Sequence, residues 1–297
     1  MTARSVVLLA AALTMAVVGA AAAAGTAGGA GAAGAGAASV KTPLPITIGS
    51  PEPSPSSYPT PKPAQPERVT AAPADRWALL VGITNYRTVA DTVGGAADAR
   101  LVRDVLLRNG WRSDRIRLLV DNDATGAAIA DGLTWLASNS SSRTFSLLHY
   151  SGHVKRNDGH EFLWPVDNSF IVDTELVRVM RAVAGASWTN MSGCHAGGLV
   201  EGLASSRHLV TTSSRKSEKS YENPKTGFSV WSGMLFDEGL RRGHADRDGD
   251  GGVSVSEGFN YAAPRAAEFT SAQKPYGAQR PTIAGDSRSL RLDAPRV

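Results

Sequence analysis

From Trp77 onward the chain alternates short, unbroken apolar runs with amphipathic stretches of helical period, and this alternation narrows the fold more than any other feature. Trp77-Ala78-Leu79-Leu80-Val81-Gly82-Ile83 contains no polar side chain. A strand with one face in water would be polar at every second place, so this run suits a strand buried on both faces of a parallel sheet. Gly94–Asn109 reads as a helix, with Leu101, Val105 and Leu106 on one face and Gly110 stopping it. A strand is expected over Arg115–Val120 and a helix over Thr125–Ala137, where Ile129, Leu133 and Leu136 share a side. Phe145–Ser151 reads as a strand and Thr174–Val183 as a helix. Ser187–Ser192 is a less apolar strand and His208–Ser213 another, followed by helices over Gly227–Arg242 and Ser254–Phe269. Such alternation predicts an α/β domain, with a mostly parallel central sheet flanked by helices.

The residues ahead of Trp77 follow other rules. Arg4 precedes an apolar run from Ser5 to Ala20, and small residues continue through Ala24. A positive flank, an apolar stretch and an Ala-x-Ala ending describe an export signal over residues 1–24. The run is almost long enough to span a bilayer, so an uncleaved anchor is the alternative. No second apolar stretch approaches that length, so no membrane contact is expected beyond the signal. Residues 25–40 are nearly all Gly and Ala, and prolines recur from Pro43 to Pro66. This composition buries no core, so 25–74 is expected to be a disordered spacer ahead of a domain over 75–297. The expected location is outside the cell or at its surface. Net charge is +4, and basic residues alternate with acidic ones through the second half. The absence of a basic stripe interleaved with aromatics argues against a nucleic-acid partner.

Two of the expected strands end in reactive residues. Phe145–Tyr150 runs into Ser151-Gly152-His153, and Ser187–Ser192 runs into Gly193-Cys194-His195-Ala196-Gly197-Gly198. In open α/β sheets, ligands bind past the carboxyl ends of the strands. Cys194 is the only cysteine, so it forms no internal disulfide and is either a small buried residue or a free thiol kept for its reactivity. A thiol attacks a carbonyl as thiolate, and a histidine then protonates the leaving amine. The turn at Gly197-Gly198 leading into Leu199–Leu203 is expected to aim backbone N–H groups at the sulfur. His149 reads as a packing residue, and the His195 side chain is expected to point away from the thiol. Arg215–Lys225 is most simply a solvated loop; the sharper alternative is a substrate wall or a self-cleavage segment.

Asp246-Arg247-Asp248-Gly249-Asp250-Gly251-Gly252-Val253-Ser254-Val255-Ser256-Glu257 fits the twelve-residue calcium loop of an EF-hand. The expected ligands are Asp246, Asp248, Asp250, the Gly252 carbonyl, Ser254 and a bidentate Glu257. Converging carboxylates need a hard cation to offset their repulsion, so Ca2+ is the expected cofactor. The alternative is an Asp/Gly-rich turn that caps a helix.

Tyr150-Ser151-Gly152-His153 and Gly193-Cys194-His195-Ala196-Gly197-Gly198 resemble the two active-site motifs of the caspase–metacaspase superfamily of cysteine peptidases, in its bacterial branch. The likeness extends through Trp77–Tyr86, Ala97-Asp98-Ala99 and Leu163-Trp164-Pro165-Val166-Asp167, and covers about residues 75–285. It implies a caspase-haemoglobinase fold, peptide-bond hydrolysis, and protein or peptide substrates. It further implies His153 as general acid/base, Cys194 as nucleophile, and the N–H groups of Val154 and Cys194 as the oxyanion site. Val154 stands where the family has glycine, and Ser192 where it has an aspartate that binds a basic P1 side chain. Asp98 matches the other acid of that pocket, which implies cleavage after Arg or Lys with looser selectivity. A caspase-like domain that binds peptides or envelope material without cutting is the rival reading.

Overall fold

The apolar run lies in β1 (Asp75–Gly82), and its side chains alternate between two buried faces. The computed structural model describes residues 75–285 and 290–293; the expected export signal and spacer lie outside these residues. β1 pairs in parallel with β2 (Ile116–Val120) on one side and β3 (Thr144–Ser151) on the other. β3 pairs in parallel with β7 (Ala186–Ser192), and β7 with β8 (His208–Thr212). β11 (Thr282–Ala284) adds the far edge antiparallel to β8, so the order is β11-β8-β7-β3-β1-β2. The expected α/β architecture with a mostly parallel sheet is therefore present.

Helices cover both faces. α1 (Gly95–Arg108) and α2 (Gly126–Ser138) follow β1 and β2, and α3 (Asp173–Arg181) precedes β7. Leu79 and Val81 cluster with Ile129 and Leu133 of α2 and Met180 of α3; Ala78 and Leu80 cluster with Val102 and Leu106 of α1, Trp231 and Phe236. Burying each such side chain contributes about 1.5–3 kcal/mol. β7 is fully buried after Ala186 despite its polar sequence, because Ser187, Asn190 and Ser192 pair with side chains of other elements. Asn190 donates to His149 Nδ1 at 2.9 Å and accepts from Thr211 Oγ1 at 2.7 Å and Trp231 Nε1 at 2.9 Å. After β7 comes the four-residue α4 (Ala196–Leu199). α5 (Val230–Ser232) runs into a π-helical stretch, Gly233–Arg241, and α6 spans Val255–Ala272. Among the described residues no helix is long and apolar enough to cross a membrane.

Two small sheets are additions to the sequence reading. β4 (Val154–Asn157), β5 (His160–Leu163) and β6 (Ile171–Val172) form an antiparallel sheet just past β3. β9 (Glu222–Asn223) pairs antiparallel with β10 (Phe228–Ser229), inside segments expected to be loop and helix. These strands are too short for periodicity to register.

Candidate functional site

The parallel register of β3 and β7 builds the site. Ser151 pairs with Ser192, and the Gly152 N–H donates to the Ser192 carbonyl at 3.1 Å. His153 and Cys194 are each two residues past this pair, on adjacent strand ends. The glycines between are required by contact. A Cβ on Gly152 would stand 2.5 Å from Tyr86 Oη, and one on Gly193 would stand 2.6 Å from the Gly152 carbonyl oxygen.

His153 is held on several sides. Its N–H donates to Tyr86 Oη at 2.7 Å, and its carbonyl accepts from Tyr150 Oη and from the Trp164 N–H. Its ring packs on Tyr86 with centroids 4.6 Å apart. Nε2 lies 2.8 Å from the Ala90 carbonyl. A carbonyl only accepts, so Nε2 carries the proton there and Nδ1 is the ring atom left to receive and return one.

Cys194 is partly buried, and its Sγ–H points to the Ser220 carbonyl at 3.8 Å. Burial pushes the thiol up; a backbone hydrogen bond with Ser220 and the charge of Lys219 oppose the shift, and Glu222 adds to it. The expected help from the following turn does not occur. His195 takes a left-handed conformation, φ 58°, and α4 starts directly after it. The N–H groups of His195, Ala196 and Gly197 donate to Glu218 O, Ser214 Oγ and Ser214 O, so the 214–218 segment consumes the donors meant for the sulfur. The His195 ring does turn away, toward the Lys216 carbonyl at 2.8 Å.

Two N–H groups near the pair are taken up neither by the β4–β5 ladder nor by the 214–218 segment. The Trp164 N–H bonds the His153 carbonyl, so in the antiparallel alternation Val154, paired with Leu163, directs its N–H away from β5 toward the open edge of β4. The Cys194 N–H meets no acceptor among the described residues. The Val154 side chain packs toward Gly193.

Asp98 sits in the first turn of α1, fully buried beneath these strand ends. It accepts from Ser151 Oγ at 2.7 Å and the Ser229 N–H at 3.1 Å. Desolvation raises its carboxyl to about 7, with those hydrogen bonds opposing. Ser192 is buried beside it, 3.0 Å from Ser229 through their hydroxyls. Sequence reasoning missed Glu222, which accepts the N–H groups of Val93 and Gly94, both at 2.7 Å, and lies within electrostatic reach of His153 and Cys194. The lysines around it read as a solvated loop; the Asn223-Pro224 turn signal after Tyr221-Glu222 was the available clue to a strand.

The acidic loop lies apart from these residues. Asp246, Asp248 and Asp250 bring carboxylate oxygens within 4.8 Å of one another. Ser254 and Glu257 form a reciprocal capping box at the start of α6: Ser254 Oγ accepts the Glu257 N–H at 3.1 Å, and Glu257 Oε2 accepts the Ser254 N–H at 2.8 Å. Arg291 pairs with Asp250 and Asp293, and its guanidinium occupies the space that a side chain at Gly252 would need. Three of the expected ligands thus converge, while Ser254 and Glu257 also start the helix. A set of hard oxygens this close fits a divalent cation, and Arg291 supplies positive charge at its rim.

Comparison with known proteins agrees with this layout. The profile of the caspase domain family matches residues 75–238. Metacaspase-1 of Candida albicans is 29% identical over 150 residues, covering 42% of this chain and 34% of that protein. Metacaspase-4 of Arabidopsis thaliana is 30% identical over 142 residues, with coverage of 42% and 34%. The chain spans about a third of the length of these curated relatives. The crystal structure of a Geobacter sulfurreducens protein is similar with a TM-score of 0.54 at 14% identity, covering 74% of this chain and 99% of that one, a likeness of fold.

Proposed function

The chain belongs to the caspase domain family, and from that premise we propose that it is an exported cysteine endopeptidase that cuts proteins or peptides after Arg or Lys. The observation that carries this reading is the shared register of His153 and Cys194 past β3 and β7, with the Ala90 carbonyl fixing the imidazole tautomer. Cys194 Sγ attacks the scissile carbonyl, and its proton passes to His153 Nδ1. The developing oxyanion takes the N–H groups of Val154 and Cys194. His153 then protonates the leaving amine, and water releases the acyl group. A basic P1 side chain entering beside Ser192 and Ser229 would meet Asp98 and hold it ionised. The apolar run after Arg4 supports export, and the convergent acids support a structural or activating Ca2+ held by Asp246, Asp248 and Asp250.

A second reading, a caspase-like module that binds without cutting, draws on the Ser220 carbonyl lying over a thiol that burial keeps protonated. A positional P1 peptide library, run on the exported protein with and without calcium beside Cys194→Ala, separates the two. Cleavage after Arg or Lys that vanishes in the variant supports the peptidase; cleavage by neither protein supports the binding module.

A further inference from the structure

We propose that Glu222 is a positioning residue for the Cys194–His153 pair: its carboxylate ties the backbone segment that orients the histidine to the strand that flanks the thiol. The inference rests on the reading of Cys194 and His153 as the reacting pair.

Glu222 stands in β9 and reaches a segment more than a hundred residues away. Oε2 accepts the Val93 N–H and Oε1 the Gly94 N–H, each at 2.7 Å. Gly94 is the N-cap of α1 and has no side chain with which to cap it. The acid thus anchors the two residues that lead into α1, while the N–H groups of Gly95 and Ala96 in its first turn go to Thr92 Oγ1 and Thr84 Oγ1. Anchoring alone would make Glu222 structural; the position of its neighbours gives it more. Three residues before Val93, the Ala90 carbonyl holds Nε2 of His153 at 2.8 Å. In the same segment, Asp91 accepts the N–H of Tyr86, the residue whose hydroxyl holds the His153 N–H. Two residues before Glu222, the Ser220 carbonyl faces Cys194 Sγ. One carboxylate thus joins the wall behind the imidazole to the wall beside the sulfur.

The same carboxylate supplies charge. It is largely buried, which raises its carboxyl, while the two backbone donors and nearby His153 favour the ionised form. It also adds to the upward shift of the Cys194 thiol. The other titratable groups facing the pair are Lys219 beside the sulfur, Tyr86 and Tyr150 around the imidazole, and Tyr276 within reach of Glu222. Of these, Lys219 alone brings a full charge at neutral pH, opposite in sign to Glu222.

The test uses the exported protein. Cys194 is its only thiol, so iodoacetamide alkylation against pH reads that group without any substrate. Glu222→Gln keeps the side-chain length, removes the charge and leaves one oxygen for the two N–H groups. The alkylation midpoint should fall by about half a pH unit or more, and both limbs of the kcat/KM profile should move to lower pH together, because thiolate gains and imidazolium loses stability. Glu222→Asp keeps the charge and shortens the reach. It should leave the midpoint in place and lower kcat about tenfold. An unshifted alkylation profile in folded Glu222→Gln, or wild-type kcat in Glu222→Asp, overturns the proposal. If Glu222→Gln fails to fold, the Glu222→Asp arm still decides. If the wild type cuts no peptide, the peptidase reading fails while the alkylation arm still reads Glu222.

Discussion

Ser151 and Ser192 are register partners at the ends of β3 and β7, and that single pairing sets His153 and Cys194 at equal height beyond the sheet. A slip of the two strands by one residue would separate them by a further ~3.3 Å. Cys194→Ala or His153→Ala should each lower peptide cleavage by on the order of a thousandfold or more, with the melting temperature nearly unchanged. Because the two act as a unit, the double variant should lose little beyond either single one. Undiminished turnover in Cys194→Ala would remove the assignment.

Close approach of the two strand ends predicts a severe cost for one methyl group. In Gly152→Ala the new Cβ would sit 2.5 Å from Tyr86 Oη, the group that holds the His153 N–H. Relieving that overlap should cost about 1–3 kcal/mol in urea melts and depress kcat more than it raises KM. A variant with wild-type stability and turnover would show that Tyr86 yields freely.

Selectivity for the residue before the cut should depend on Asp98 and Ser192. A buried carboxylate paired with a cation contributes on the order of 1–3 kcal/mol, so Asp98→Asn should lower kcat/KM for Arg and Lys substrates about tenfold or more. Ser192→Asp places a second acid beside it and should sharpen preference for a basic P1. A library that prefers Asp or a large apolar residue at P1 contradicts this account.

Two buried groups give stability opposing slopes with pH. Asp98 binds its proton up to about 7 in the native state, against 3.8 ordinarily, so its burial costs stability as pH rises through that interval. His149 is desolvated and lowered to about 3 from 6.5, so the native state loses stability as pH falls from about 6.5 toward 3. Asp98→Asn removes the first slope and leaves the second. Relative to wild type, the variant should gain stability at about pH 8 and keep less than half of that gain near pH 5. Urea melts at both values read the difference; a gap that does not change with pH would mean Asp98 is not stored as a neutral acid.

Calcium should raise the melting temperature by ligand linkage, about 2.7 kcal/mol at a hundredfold excess over Kd. Asp246→Ala should abolish the rise and lower the melt in chelator by about 1 kcal/mol, because the carboxylate also accepts the Gly249 and Gly251 N–H groups. Glu257→Ala should lower both melts, because it also removes the capping box, typically about 1 kcal/mol. Arg291→Gln should tighten calcium binding by freeing Asp250 from a competing cation. Identical wild-type melts in calcium and chelator would mark the loop as a turn alone.

The large elements were legible because their burial is. β1 is apolar from Trp77 onward, and the helices carry their periodicity plainly, so the α/β sheet and the two strand-end motifs followed from sequence. β7 was readable only as a weaker strand, since Asn190 is buried in a polar network that one-dimensional pattern does not register. The β4–β5 hairpin did leave a signal: Asp158-Gly159, both with positive φ, forms the two-residue turn that brings Asn157 opposite His160. Ala90 holds His153 through a backbone carbonyl, which any residue supplies, so no sequence feature marks it. Glu222 was masked by neighbouring lysines, and its role arises from a long-range contact to Val93 and Gly94. The expected aid from Gly197-Gly198 failed because the Gly197 donor is spent on Ser214 and the Gly198 donor on the His195 carbonyl.

β1 enters the sheet opposite Thr144 and leaves it opposite Ser151, so Asp75 lies at the far end of the sheet from Cys194. Eight residues of strand span roughly 26 Å. The C-terminal segment returns to that same far end, where the Leu292 carbonyl accepts from Arg76 and Trp111. Both the entry of the chain into the domain at Asp75 and its return at Leu292 therefore lie at the pole opposite the cysteine, so neither crowds the strand ends where a substrate would have to lie.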